Sequence, residues 1–288
     1  MAYKHPHYLI ESNELIEKID DPNLRVFDTS VFLHADDGGY QADSGKKRYE
    51  GGHIPGAGFI DLIKDWADAS SELNFTIPSF EQLSLAIGAS GISEHNEVIL
   101  YSSGHIMWAT RAWWCLHFAG HKNARVLNGN FAAWENGKLP VEQGFNEYSP
   151  QTYKGSPNPS AFSGTQAVED AKDNGVCVIN ALSQSLYEGT GEFYYKRRGH
   201  IPDSHLLFYD DLLSDEFFLE PTQLETVLRQ KNKNDAGQII TYCGGGIAAT
   251  VDAFAYKLIG HDDISVYDGS MSEWVLSDER PLTQGAEP

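Results

Sequence analysis

Cys243 is the residue of this chain best suited to covalent chemistry. It follows the apolar run Ile239-Ile240-Thr241-Tyr242 and opens Gly244-Gly245-Gly246-Ile247-Ala248-Ala249. Glycines take backbone angles closed to other residues, so successive N–H groups in such a run can curl around whatever sits on the sulfur. A free cysteine is mostly thiol at neutral pH, and an amide cradle followed by a helix N-terminus favours the thiolate, which is the nucleophile. These residue types point to Cys243 as a nucleophile and to Gly244 through Ala249 as the loop that stabilises charge on its sulfur. The plainer reading is a structural cysteine at a strand end, since free Cys is among the most buried residue types.

The elements that must position Cys243 are a short buried strand before it and an apolar-periodic helix, Val251 to Leu258, after it. The same order occurs earlier in the chain. Phe118-Ala119-Gly120-His121 through Asn128-Gly129 and Trp134 matches Leu258-Ile259-Gly260-His261 through Asp268-Gly269 and Trp274, at a constant offset of 140. Gly52-His53-Ile54-Pro55 likewise matches Gly199-His200-Ile201-Pro202, and Val98-Ile99-Leu100-Tyr101 matches Ile239-Ile240-Thr241-Tyr242. Four landmarks in one order describe two copies of one α/β domain, at 1–145 and 161–288, joined by a Pro-, Gly- and Ser-rich linker at 146–160. Alternating strands and helices imply parallel sheets with ligands outside the strands' carboxyl ends, where Cys243 falls. Asp36-Asp37-Gly38-Gly39 and Asp43-Ser44-Gly45 read as a long loop, and Ser79 and Gly88 as the start and stop of one helix.

Composition narrows the function classes. The 288 residues are 41% hydrophobic, enough for globular cores, and carry a formal net charge of −20. Affinity for polyanions rests on Lys and Arg neutralising phosphates, so neither nucleic acid nor an anionic membrane is expected as a partner. Three cysteines, Cys115, Cys177 and Cys243, at no metal-ligand spacing indicate neither a disulfide framework nor a zinc site, and suit a reducing compartment. With no basic-then-apolar leader and no run of about 18 apolar residues, the expected location is the cytoplasm.

The paired Gly-His-Ile-Pro turns, the Gly-His…Asp/Asn-Gly…Trp blocks and the six-residue loop from Cys243 to Ala248 resemble the tandem rhodanese-like sulfurtransferases. The resemblance covers nearly the whole chain. It implies an inert first domain, consistent with Ser102 standing where the second copy has Cys243, because a serine with no paired base is a poor sulfur acceptor. It implies a double displacement: Cys243 takes sulfur from a small anionic donor, thiosulfate or 3-mercaptopyruvate, and passes it from a persulfide to a thiol, cyanide or a thioredoxin-like acceptor. No cofactor or metal is implied. Asn180-Ala181-Leu182 departs from the family's usual Asp-Ala-Arg or Asp-Thr-Arg, and Leu186-Tyr187 stands where mercaptopyruvate enzymes usually carry an arginine. The loop lacks the internal Arg or Lys of thiosulfate-preferring members, and lacks the Ser or Thr that mercaptopyruvate enzymes place at Gly245.

Lys196, Arg197 and Arg198 read either as a solvated charged loop or as an anion-recruiting run beside Cys243. His53 and His200 read first as structural residues of their turns, while the resemblance implies a possible proton relay through Asp43 and His53. Two rival functions remain at this level. A cysteine phosphatase needs an arginine closing the loop, where this chain has Ala249. A persulfide carrier or regulatory module delivering sulfur to a protein partner would retain the same cysteine and loop.

Overall fold

Each half of the chain builds one parallel sheet, because its short apolar strands are separated by crossovers long enough to return the chain to the same end. The computed structural model describes residues 2–36, 39–192, 196–231 and 237–288. The first half contains β1 (Leu9–Ile10), β2 (Leu24–Asp28), β3 (Val31–Asp36), β4 (Gly39–Ser44), β5 (Gly58–Phe59), β6 (Glu97–Tyr101) and β7 (Ala124–Leu127). The second contains β8 (Phe162–Ser163), β9 (Cys177–Asn180), β10 (His205–Leu206), β11 (Leu213–Ser214), β12 (Phe217–Phe218), β13 (Ile239–Tyr242) and β14 (Ile264–Tyr267). The sheet orders are β1-β7-β6-β2-β5 and β8-β14-β13-β9-β10, the same topology twice, with β6 and β13 in the middle. All pairings within the two sheets are parallel.

The middle strands are buried along their lengths because helices cover both faces. After each comes an unusually apolar helix, Met107–Phe118 or Ala249–Leu258, and these two helices pack against each other across the domain interface. That explains their composition. A helix squeezed between its own sheet and a second domain has no solvated face, and every residue of Ala249–Leu258 is buried. Thr110 and Thr250, separated by the repeat offset of 140, share a 2.8 Å hydroxyl hydrogen bond at this contact. The N-terminal segment crosses to the second half, where Lys4 N donates to Leu258 O at 2.8 Å and the Tyr3 hydroxyl donates to Leu219 O at 2.6 Å. Residues 146–160 lie against the first half through Gln151 N to Gly88 O (2.9 Å) and Asn158 N to Phe118 O (2.7 Å).

Two local expectations change. The stretch expected to be a long loop contains the antiparallel pair β3–β4, registered from Val31 opposite Ser44 to Asp36 opposite Gly39, while Asp37 and Gly38 lie outside the described residues. An Asp-Gly dipeptide between two such segments is a hairpin signal. Gly88 does not stop its helix, which opens on a Ser79/Gln82 capping box and runs to Ala89. A side chain at Gly88 would meet Gln151 O at 2.5 Å, so this glycine lets the linker approach the helix. Among the described residues, no helix is long and apolar enough to cross a membrane.

Candidate active site

The loop after β13 is organised by what holds its carbonyls. Cys243 O accepts from Met271 N (3.1 Å), Gly244 O from Ser272 N (2.9 Å) and its hydroxyl (2.8 Å), Gly246 O from Arg111 Nη1 (3.1 Å), and Ile247 O from Thr250 N (2.9 Å). In a trans peptide the N–H points opposite to the C=O. Each held carbonyl therefore turns the next amide the other way, and the amides of Gly244, Gly245, Ile247 and Ala248 have no acceptor among the described residues. The amides of Cys243 and Gly246 are used otherwise: both donate to Ser270 Oγ, at 3.0 and 3.1 Å. Gly246 is required by geometry, since its φ is +74° and a Cβ there would sit 2.4 Å from Asp268 O. Ala248 and Ala249 begin the buried helix, and Cys243 is 1% exposed.

Around the loop lie residues from both halves. Arg111, fully buried on the helix Met107–Phe118, donates to Asp268 Oδ1 at 2.7 Å and to Phe75 O through Nη2. Burial opposes its charge, but Asp268 and the neighbouring Cys115 and Cys243 sulfurs more than compensate, so its pKa lies above the ordinary arginine value. Tyr209 of the second half is pushed up to about 12, first by burial and then by Asp210, Cys243, Glu216 and Tyr40. The other thiols are unsuited to attack, because burial pushes both Cys115 and Cys177 up to about 11. No cluster of three or more His, Cys, Asp or Glu side chains suited to a metal occurs among the described residues.

Residues 11–137 and 167–277 match the rhodanese-like domain family model. The chain belongs to the rhodanese-like family. It is 31% identical to a probable 3-mercaptopyruvate sulfurtransferase of Pseudomonas aeruginosa, over 96% of this chain and 98% of that one. It is also 31% identical to thiosulfate sulfurtransferase of Mus musculus, over 88% and 85%. The crystal structure of the Escherichia coli 3-mercaptopyruvate sulfotransferase superposes with a TM-score of 0.81 at 25% identity, covering 91% of this chain and 98% of that one.

The first rhodanese-like domain repeats the scaffold of the loop with different occupants. Ser102 N donates to Asn130 Oδ1 (2.8 Å) and Ser102 O accepts from Phe131 N (3.1 Å), as Cys243 does with Ser270 and Met271. Asn130 and Ser270 even share a positive φ, +58° and +49°. The Ser102 hydroxyl donates to Ser30 Oγ at 3.3 Å and accepts from Gly104 N at 3.0 Å, so it is committed to the loop. Glu216 of the second domain then places one carboxylate oxygen on Ile106 N (2.5 Å) and Asn130 Nδ2 (3.1 Å). Where amides of the second domain's loop have no acceptor among the described residues, an internal carboxylate is bonded to the first domain's loop.

The expected site residues have separate sets of partners. His53 is buried, stacked on Tyr49 with ring centroids 4.1 Å apart; its Nδ1 donates to Tyr49 O (2.8 Å) and its Nε2 accepts from Asn146 Nδ2 (3.1 Å). Both ring nitrogens are thus engaged, as in the structural reading of His53 as a turn residue. His200 repeats the arrangement, stacked on Tyr187 with Nδ1 donating to Tyr187 O at 2.8 Å. Asp43 lies on β4, exposed, 3.4 Å from His34 Nε2. Lys196 and Arg198 are exposed, whereas half-buried Arg197 donates to Ser277 O at 2.8 Å. Asn180 keeps the turn bond that Asp28 makes in the first domain: each Oδ1 accepts from the amide two residues on at 2.8 Å. Asp28's second oxygen accepts from the Ser103 hydroxyl at 3.0 Å.

Arg111, Ser270, Ser272, Asp268, Tyr209 and Glu216 were not singled out from sequence. Arg111 did carry a signal. It is a lone cation inside an otherwise apolar helical run, and a buried charge requires a partner.

Proposed function

We propose that this chain is a sulfurtransferase that moves a sulfane sulfur from 3-mercaptopyruvate or thiosulfate to a thiol, cyanide or a thioredoxin-like acceptor through a persulfide on Cys243. The observation that carries this reading is the loop: the carbonyls of Cys243, Gly244, Gly246 and Ile247 are held by donors, and the amides of Gly244, Gly245, Ile247 and Ala248, with no acceptor among the described residues, are available to an anion at the cysteine. Donors fixed before the reaction stabilise charge without reorganisation, and charge-assisted hydrogen bonds are the strong ones.

In the first step the Cys243 thiolate attacks the transferable sulfur of the donor. An S–S bond forms, and the donor's own bond to that sulfur breaks with its electron pair. Thiosulfate then leaves as sulfite, while mercaptopyruvate leaves as the pyruvate enolate, which takes a proton. In the second step an acceptor thiolate attacks the outer persulfide sulfur, which regenerates the Cys243 thiolate and carries the sulfur away. Lys196, Arg197 and Arg198, just before the Gly199-His200 turn, are proposed to recruit the anionic donor. The uncharged loop favours mercaptopyruvate over the compact dianion thiosulfate.

Mass spectrometry of the purified chain with each donor tests the proposal. Cys243 should gain one sulfur atom and lose it on addition of a thiol. Absence of that adduct with both donors refutes it.

A further inference from the structure

The persulfide loop contains no charged residue between Gly244 and Ala249. The cation that touches it comes from the other domain. Arg111 is fully buried, and its Nη1 donates both to Gly246 O (3.1 Å) and to Asp268 Oδ1 (2.7 Å). Its Nη2 donates to Phe75 O, and the second Asp268 oxygen accepts from Ile77 N at 2.8 Å. One guanidinium thus joins the loop, the Asp268-Gly269 turn beneath it and a first-domain segment. The arrangement is one-sided, because the residue matched to Arg111 at the repeat offset of 140 is Val251. Phe75 has a φ of +61°, which non-glycine residues seldom adopt, so that its carbonyl meets the guanidinium.

We infer that Arg111, from the domain without a nucleophile, is a positioning residue for sulfur transfer: by holding Gly246 O it aims the Ile247 amide at the charged Cys243 sulfur. This inference rests on the persulfide reading above. The peptide geometry carries it, because Gly246 O directed at Arg111 fixes the Ile247 N–H on the opposite side of the same plane. The other held carbonyls, those of Cys243, Gly244, Ile247 and Ala248, are bound by donors within the second domain. Among the described residues, Arg111 is the one first-domain residue bonded directly to this loop, and its charge also acts on the Cys243 sulfur. The first domain therefore contributes to the chemistry without reacting.

Arg111→Lys and Arg111→Met in the full chain test this. Lysine keeps charge and volume, but its single ammonium cannot bridge Gly246, Asp268 and Phe75 in the planar fork of arginine. The assay is the single-turnover rate of persulfide formation on Cys243 by mass spectrometry, together with kcat and KM for mercaptopyruvate. Loss of one oriented donor at a developing charge costs on the order of a hundredfold in kcat. Displacing one that remains present should cost about tenfold in the lysine variant and more in the methionine variant, with KM little changed. General loosening of the domain interface would instead raise KM and lower the melting temperature together. Wild-type kcat in a folded Arg111→Lys variant overturns the inference even if the methionine variant fails to fold. If the wild type itself acquires no sulfur, the persulfide reading fails, and this inference falls with it.

Discussion

Neighbouring glycines of the loop should respond in opposite ways to substitution. Gly246→Ala places a Cβ 2.4 Å from Asp268 O, a backbone atom that cannot rotate aside, at a residue whose φ is +74°. The left-handed backbone costs about 1–2 kcal/mol for an L-residue, and the overpacking adds about 1–3 kcal/mol. A total of about 2–5 kcal/mol should lower the melting temperature by roughly 4–20 °C. It should also reduce turnover by about a hundredfold or more, because the loop must shift its donors to relieve the contact. Gly245 is different: its φ is not in the left-handed region, and the nearest atom to an added Cβ is Ser272 Oγ at 3.8 Å. Gly245→Ser should fold like the wild type and supply the hydroxyl that the loop lacks. One ordinary hydrogen bond to the leaving group, about 0.5–1.5 kcal/mol, corresponds to a gain of roughly 2- to 10-fold in mercaptopyruvate turnover. Thermal melts and steady-state rates with mercaptopyruvate and thiosulfate, using cyanide as acceptor, check both variants. Near-wild-type turnover in Gly246→Ala, or a damaged Gly245→Ser, would refute this account of the loop.

Cys243→Ser should abolish persulfide formation, while Cys115→Ser, Cys177→Ser and Ser102→Ala should retain it, as read by mass spectrometry after donor exposure; sulfur on any other cysteine would contradict the assignment. Arg197→Ala or Arg198→Ala should raise KM for the anionic donor more than it lowers kcat, and added salt should partly mimic the change; unchanged kinetics in both would leave the run as a solvated loop. Asp252 is fully buried with neither carboxyl oxygen partnered among the described residues, and burial first, then repulsion from Asp211, raises its pKa well above the ordinary carboxylate value. The ionisation of such a group contributes no cost when it is protonated in both states, and that contribution grows as pH rises from the unfolded carboxylate pKa of about 4 toward the folded value. Asp252→Ala, which installs the residue found at the matched position Ala112, should therefore stabilise the protein by about 1–3 kcal/mol at pH 8 and by less at pH 5 in denaturant titrations. A gain independent of pH would show that ionisation of Asp252 is not the cause.

The parallel α/β architecture, its duplication and the position of Cys243 after a short buried strand were legible in the residues alone. These features depend on local signals: apolar runs of strand length, helical periodicity, glycine clusters, and landmarks recurring in one order. The β3–β4 pair and the continuation of a helix through Gly88 were missed because the glycine-rich signals there permit more than one local outcome. Glycine allows a turn, but at Gly88 it allows the close approach of Gln151 O instead.

What the sequence by itself determined, then, is that a cysteine opens an amide-rich loop at a strand end in the second of two matched domains. Only the tertiary structure decided which way those amides point. That direction follows from the partners of the carbonyls, and these come from afar: Ser270 lies 27 residues from Cys243, and Arg111 lies 135 residues from Gly246 in the other domain. The same holds for residues that composition could not sort. Arg197 donates to Ser277 O, His53 pairs with Tyr49 and Asn146, and Glu216 accepts from the loop of the first domain. Residue type specifies what a side chain can donate or accept, whereas the packing of the two sheets through the Met107–Phe118 and Ala249–Leu258 helices specifies which partner is within reach.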